Sequence, residues 1–347
     1  MKKFIIGLLK AIGYFGIYFG MQILVSTVYS IAVVVPVVVE YILGGYDLTD
    51  PVILGQYMND IMQPVLEATM ALTIISGILT LGLLWLIFVC RKKKFAKEIG
   101  LRKISLGTIP PIFLMGLGFN VLTGVVLSAL PESWLGSYEE TSSMAFMGEY
   151  WVTFLGTAIV APIVEEVIFR GLAYSRMKKG MPTVWAVILT SVLFGVAHGH
   201  PVWMLYTFAF GLLLIWVFER TRSLVAPMVL HIGYNLCAVL QMLLPADAPD
   251  WAGIALIAAA AVVAAIGIIW FLLIPKVPAP VEKSEMPEEA EAQAEKETEE
   301  ESEEEVAEVA GEDVADEFTA AEEAGQPEGE AEKPKEEKTG KGAEIVD

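Results

Sequence analysis

Apolar residues run through this chain in long blocks, separated by short polar stretches. A helix that crosses a bilayer needs about 20 consecutive apolar residues. Eight stretches meet that length or approach it with tilt: 11–39, 69–90, 109–130, 151 to about 177, 183–198, 202–218, 224–244 and 251–274. Too little polar sequence remains to coat a soluble globule of that many helices. The pattern predicts an all-α, polytopic membrane bundle of about eight transmembrane helices. It divides into a membrane segment of about three helices (1–150), a core (151–245), a last span (246–280) and a tail (281–347).

Charge separates the tail from the rest. The chain has 347 residues, a net charge of −19 and 55% hydrophobic residues. From Val281 onward stand 27 acidic and 6 basic residues; the preceding 280 hold 15 and 17. The tail is rich in Glu, Ala and Lys and nearly free of aromatics, so it is expected to be disordered. The near-neutral body disfavours a soluble enzyme, a nucleic-acid binder and a disulfide-stapled secreted scaffold. Cys90 and Cys237 lie in apolar runs and read as buried thiols. The N-terminal apolar run is too long for the core of a cleaved signal.

Basic residues give orientation. They precede the first stretch (Lys2, Lys3, Lys10) and fill the loops after the second, fourth, sixth and eighth. The intervening loops hold acidic residues and no Lys or Arg. With eight spans, every basic loop and both termini fall in the cytoplasm. The cluster Arg91–Lys94 therefore needs no nucleic-acid partner. The expected location is a plasma membrane of prokaryotic type, crossed several times.

Ionisable groups inside spans are costly and mark candidate sites. The fourth stretch contains Glu165, Glu166 and Arg170, in APIVEEVIFRG; the seventh contains His231 and Asn235, in PMVLHIGYN. Glu166 and Arg170 are four residues apart, so they share a helix face and can pair. Glu165 points about 100° away. Phe194 and His198 are also four apart, as are His231 and Asn235. If the fourth helix runs on to the basic MKKG, kinked near Pro162, Glu165 stands roughly 20 Å above that end. His198 then stands roughly 23 Å above Thr183, with His231 and Asn235 roughly 14 and 20 Å above Arg222. The four groups share one layer. His200, before Pro201, is expected at the interface.

A carboxylate in an apolar site is suited to proton transfer. Histidine can hold a water, and Asn and His can donate to an oxyanion. Those are the parts for amide hydrolysis by activated water. No GxSxG and no HExxH is present. Zinc held by Glu165, His198 and His231 stays open as an alternative; no other cofactor is expected. A proton-coupled transporter could use the same groups, and a non-catalytic scaffold or immunity protein could use the same fold.

The three motifs EExxxR (Glu165–Arg170), FxxxH (Phe194–His198) and HxxxN (His231–Asn235) resemble those of the CAAX-protease and bacteriocin-processing (CPBP, or Abi) intramembrane endopeptidases. That family includes the eukaryotic type II CAAX prenyl endopeptidase and lysostaphin-resistance-like proteins. The resemblance covers roughly 151–244. It implies Glu165 as general base, His198 as a water-positioning group, and His231 and Asn235 as oxyanion donors, with Glu166, Arg170 and Phe194 in support. It implies a membrane-embedded or lipidated peptide or protein substrate within the lipid bilayer. Metal participation is left unsettled by the resemblance.

Overall fold

The apolar blocks become helices in the computed structural model, which describes residues 2–243 and 249–278. The tail assigned to 281–347 lies outside the described residues. In chain order the helices are α1 (Lys2–Leu43), α2 (Pro51–Glu67), α3 (Thr69–Cys90), the short α4 (Phe95–Glu98), α5 (Ile109–Ser128) and α6 (Glu132–Ala145). Then come α7 (Tyr150–Lys178), α8 (Thr183–Val196), α9 (Pro201–Thr221), α10 (Val225–Gln241) and α11 (Asp250–Leu273). Among the described residues no strand occurs. The chain is a polytopic helical bundle.

Six helices among the described residues are long and apolar enough to cross a membrane: α1, α3, α5, α7, α9 and α11. The two others expected to span, α8 and α10, have only 14 and 17 residues. The expectation of eight spans therefore rests on these two shorter helices. At 1.5 Å per residue they reach about 21 and 26 Å, less than the hydrocarbon thickness of about 30 Å. Gly199 at φ +76, followed by His200 and Pro201, stops α8 early. His198 consequently sits in the turn after α8 and not, as the apolar run suggests, within the helix.

Two helices occupy segments that read as acidic loops. α2 starts where the Asp50 carboxylate accepts from the Val52 N–H, with Pro51 pre-set for the first turn. α6 starts after Pro131 with Glu132 in its first turn, where the helix dipole favours an anion. Both mix polar and apolar residues, so a search for unbroken apolar runs passes over them. α1 is also longer than its expected span. Its 42 residues extend about 63 Å, twice the hydrocarbon thickness.

α7 forms the centre. Each residue from Val167 to Tyr174 is buried, and α1, α3, α8 and α10 pack around the helix. The helix is continuous, but the turns at Leu155–Val160 and Val167–Tyr174 are wide π-helical ones. They flank a regular turn that contains Pro162. Proline lacks the N–H that would close the turn behind it, and π-bulges are a recognised way to absorb such a break. The expected irregularity at Pro162 takes this form.

α5 is held between α10 and α11 by glycines. A Cβ on Gly233 would stand 2.8 Å from the Phe113 carbonyl, and one on Gly267 would stand 2.7 Å from that of Pro111. Small residues allow such close helix contact where lipid supplies no hydrophobic drive. These contacts cross the boundaries placed at 150 and 245. Outward positions on α11, such as Ile254, Val262, Ile269 and Leu273, are exposed, as lipid-facing residues are. Cys90 is also exposed, contrary to the buried thiol expected; it is the last residue of α3. Cys237 is half-buried, and both cysteines are free.

Candidate active site

The site forms where α7, α8 and α10 meet. On α7, Arg170 Nη1 donates to Glu166 Oε1 at 2.8 Å, and both side chains are fully buried. Arg170 Nη2 donates to the Gly211 carbonyl at 3.3 Å, and the guanidinium lies 4.2 Å above the Phe194 ring centroid. A buried guanidinium is tolerated only when charge, hydrogen bonds and a polarisable face compensate its lost hydration. All three are present.

Glu166 has a second partner that spacing along α7 cannot reveal. His231 Nδ1, on α10, stands 2.9 Å from the same Oε1. A carboxylate accepts, so Nδ1 carries the proton. Glu166 thus links Arg170 to His231, and the pair on α7 fixes the tautomer and ring direction of a histidine on another helix. The Phe194 ring packs edge-on against both histidines, 4.9 Å from His198 and 5.9 Å from His231 between centroids. Phe210 covers another side of His231 at 5.2 Å.

The remaining groups turn toward a cavity of about 730 Å3, lined by Glu165, His198, His231 and Asn235. The Glu165 side chain is 15% exposed where that of Glu166 is 0%. Adjacent residues on one helix therefore have opposite environments. Glu165 Oε2 stands 3.8 Å from His231 Nε2, too long for a hydrogen bond. His198 Nδ1 lies 2.7 Å from the Phe194 carbonyl. That carbonyl only accepts, so Nδ1 donates and the Nε2 lone pair is left for the cavity. Asn235 Nδ2 donates to the Thr157 carbonyl at 2.9 Å, in the first wide turn of α7.

His200 stays apart from this group. It caps α9, accepting from the Val202 N–H, and meets Ser137 of α6 at 3.2 Å. A catalytic zinc takes three protein ligands and keeps one open position. Among the described residues no three His, Cys, Asp or Glu side chains gather closely enough to hold a metal ion. The trio Glu165, His198 and His231 shares the cavity without that convergence.

Sequence reading missed several cavity residues outside the three motifs. Tyr18 and Gln22 of α1, and Asn120 of α5, also line it. Gln241 Nε2 donates to Asn120 Oδ1 at 2.6 Å, joining α10 to α5. The missed signal was available, since Asn120 and Gln22 are polar groups within apolar blocks.

Residues 147–237 match the family model described as type II CAAX prenyl endopeptidase Rce1-like. The "Putative membrane peptidase YdiL" of Bacillus subtilis (strain 168) is 29% identical over 89 residues, covering 26% of this chain and 36% of that protein. CAAX prenyl protease 2 of Caenorhabditis elegans is 25% identical over 96 residues, covering 22% of this chain and 36% of that one. The chain thus spans little more than a third of the length of these curated relatives. No solved structure matches. The matched segment contains α7, α8, α9 and most of α10, and with them all three motifs. Over that segment the chain is similar to the Rce1-like type II CAAX prenyl endopeptidases.

Proposed function

We propose that this protein is an intramembrane endopeptidase that hydrolyses membrane-associated or lipidated polypeptides with a water activated by Glu165. One observation carries the reading: Glu165 on α7, His198 in the turn after α8, and His231 and Asn235 on α10 line one cavity. Its match to a peptidase family is the second support.

The chemistry follows from the side chains. Water in the cavity donates one proton toward the Glu165 carboxylate and another toward the His198 Nε2 lone pair. Glu165 removes its proton as the oxygen attacks the scissile carbonyl. The carbonyl oxygen becomes an oxyanion and accepts from the second N–H of Asn235. His231 lines the same cavity, its ring direction fixed by the bond from Nδ1 to Glu166. Glu165 then returns the proton to the leaving amine, and the peptide bond breaks. Arg170 does not touch substrate. It holds Glu166 in place through the 2.8 Å bond to Oε1.

The test uses purified protein in detergent or proteoliposomes with quenched, lipidated peptides. Glu165→Gln is expected to lower turnover by about 10²–10⁴-fold, the usual weight of a general base, with the thermal unfolding midpoint unchanged. Wild-type turnover in that variant would sink the assignment.

A further inference from the structure

The two ends of the bundle differ in charge, and the cavity opens at only one of them. At one end the basic segments touch each other. Gly180 packs on the Lys3 backbone, Arg176 and Lys93 both pair with Glu98, and Lys178 and Arg222 both pair with Glu219. The Leu224 N–H donates to the Gly100 carbonyl, and the Val277 N–H donates to that of Arg220. The N-terminus and the loops after α3, α7, α9 and α11 therefore form one layer. Apart from Arg170, every Lys and Arg of residues 1–278 lies in or beside these segments.

The opposite end holds α6 with Glu132, Glu139 and Glu140, and no Lys or Arg. α6 is joined to the start of α9 through Ser137 and His200 at 3.2 Å. Among the described residues, the cavity has exposed lining residues only here: Gly124 near the end of α5, Glu139 and Ser143 on α6, and Met242 after α10. Toward the basic end it is closed by buried Phe169 and Phe194. Among the described residues, no Lys or Arg lines it.

Basic loops are retained in the cytoplasm. We propose that the cavity takes its substrate from the extracytoplasmic side, as a neutral or basic peptide segment held at the membrane surface. What is cleaved rests on the peptidase reading; the side rests on charge distribution and cavity shape alone. An acidic rim with no cation repels an anionic segment and attracts a basic one. A cytoplasmic C-terminus, whatever its lipid, would face the closed end.

Two measurements test this. In the full chain with Cys90→Ser and Cys237→Ala, single cysteines are placed as Ser143→Cys at the mouth or Lys94→Cys at the basic end. Intact spheroplasts are treated with a membrane-impermeant maleimide. Ser143→Cys is expected to react at least about tenfold faster than Lys94→Cys, with the difference lost on permeabilisation. The reverse order overturns the proposal.

The second measurement reads cleavage by the wild-type chain. Right-side-out vesicles of the wild-type chain receive acyl-anchored quenched peptides of mixed neutral and basic sequence, outside or enclosed, with Glu165→Gln vesicles as the blank. Cleavage outside alone supports the proposal. Cleavage of enclosed peptide alone overturns it and leaves the peptidase reading standing. Cleavage at neither face, with Ser143→Cys labelled from outside, overturns the peptidase reading and retains the side. Replacing the lysines of the peptides by glutamates is expected to slow cleavage by about fivefold or more; equal rates would remove the charge preference.

Discussion

Two groups of ion pairs show how one chemistry serves two ends in this protein. At the basic end, Glu219 accepts from Lys178 and Arg222, and Glu98 from Lys93 and Arg176. Those side chains keep between 11% and 52% of their exposure. Deep in the bundle, Glu166 pairs with Arg170 and His231, and exposure is 0–4%. Pairs of the first kind join loops that water and headgroups would solvate in any case. The second kind stands where nothing else can solvate it, so removing one partner strands the other. Exposed pairs hold together what already touches. The buried pair gives a histidine its direction.

The largest effect is expected from Arg170→Met. It leaves the buried Glu166 carboxylate without its cation, with only the His231 N–H as partner, and should cost about 3–5 kcal/mol, read by denaturant unfolding in detergent. Adding Glu166→Gln should restore more than half of that stability, because the stranded charge is gone. Activity should stay low in the double variant, since His231 no longer meets a carboxylate. Restored peptidase turnover would show that the pair is purely structural. Asn235→Ala comes next. Its lost bond to Thr157 should cost about 1 kcal/mol, while turnover should fall about 10²–10³-fold if the amide also serves the oxyanion. A loss of turnover no larger than the loss of folded protein would remove that role.

How far the sequence discloses this arrangement depends on the kind of signal. Unbroken apolar runs give most of the helices, because span length is a property of one segment. Spacing of four gives the Glu166–Arg170 pair for the same reason. The contact between Glu166 and His231 joins residues 65 positions apart on different helices, and no local rule reaches it. The wide turns of α7 are equally silent in the sequence; Pro162 announces a break without its form. α2 and α6 were missed because their polar residues imitate loops. For α6 that omission matters, since this helix walls the mouth of the cavity.

Smaller effects belong to the exposed pairs. Glu219→Gln removes an acceptor shared by Lys178, Arg222 and the Tyr174 hydroxyl. Even so, half-exposed pairs at a bundle end contribute about 0–1 kcal/mol. The unfolding midpoint should shift by a few degrees at most and peptidase turnover should not change. A cost comparable to that of Arg170→Met would erase the distinction between the two ends.

The smallest effect is a pH dependence at the basic end. Partial burial acts to raise the Glu98 carboxyl, but hydrogen bonds from Arg176 and Lys93 outweigh it and hold the group below its ordinary value of 4.5. A depressed folded value means that the unfolded chain binds the proton more readily. The resulting stabilisation is complete above about pH 4.5 and is lost as the pH falls through the lower folded value. Its size is about 0–1 kcal/mol, because the side chain keeps 21% of its exposure and is screened. Unfolding midpoints of wild type and Glu98→Gln, measured from pH 7 down to pH 3, should converge at the acid end and differ slightly at neutral pH. A gap that widens on acidification would mean that Glu98 is better held protonated, and the bonds from Arg176 and Lys93 would then not govern it.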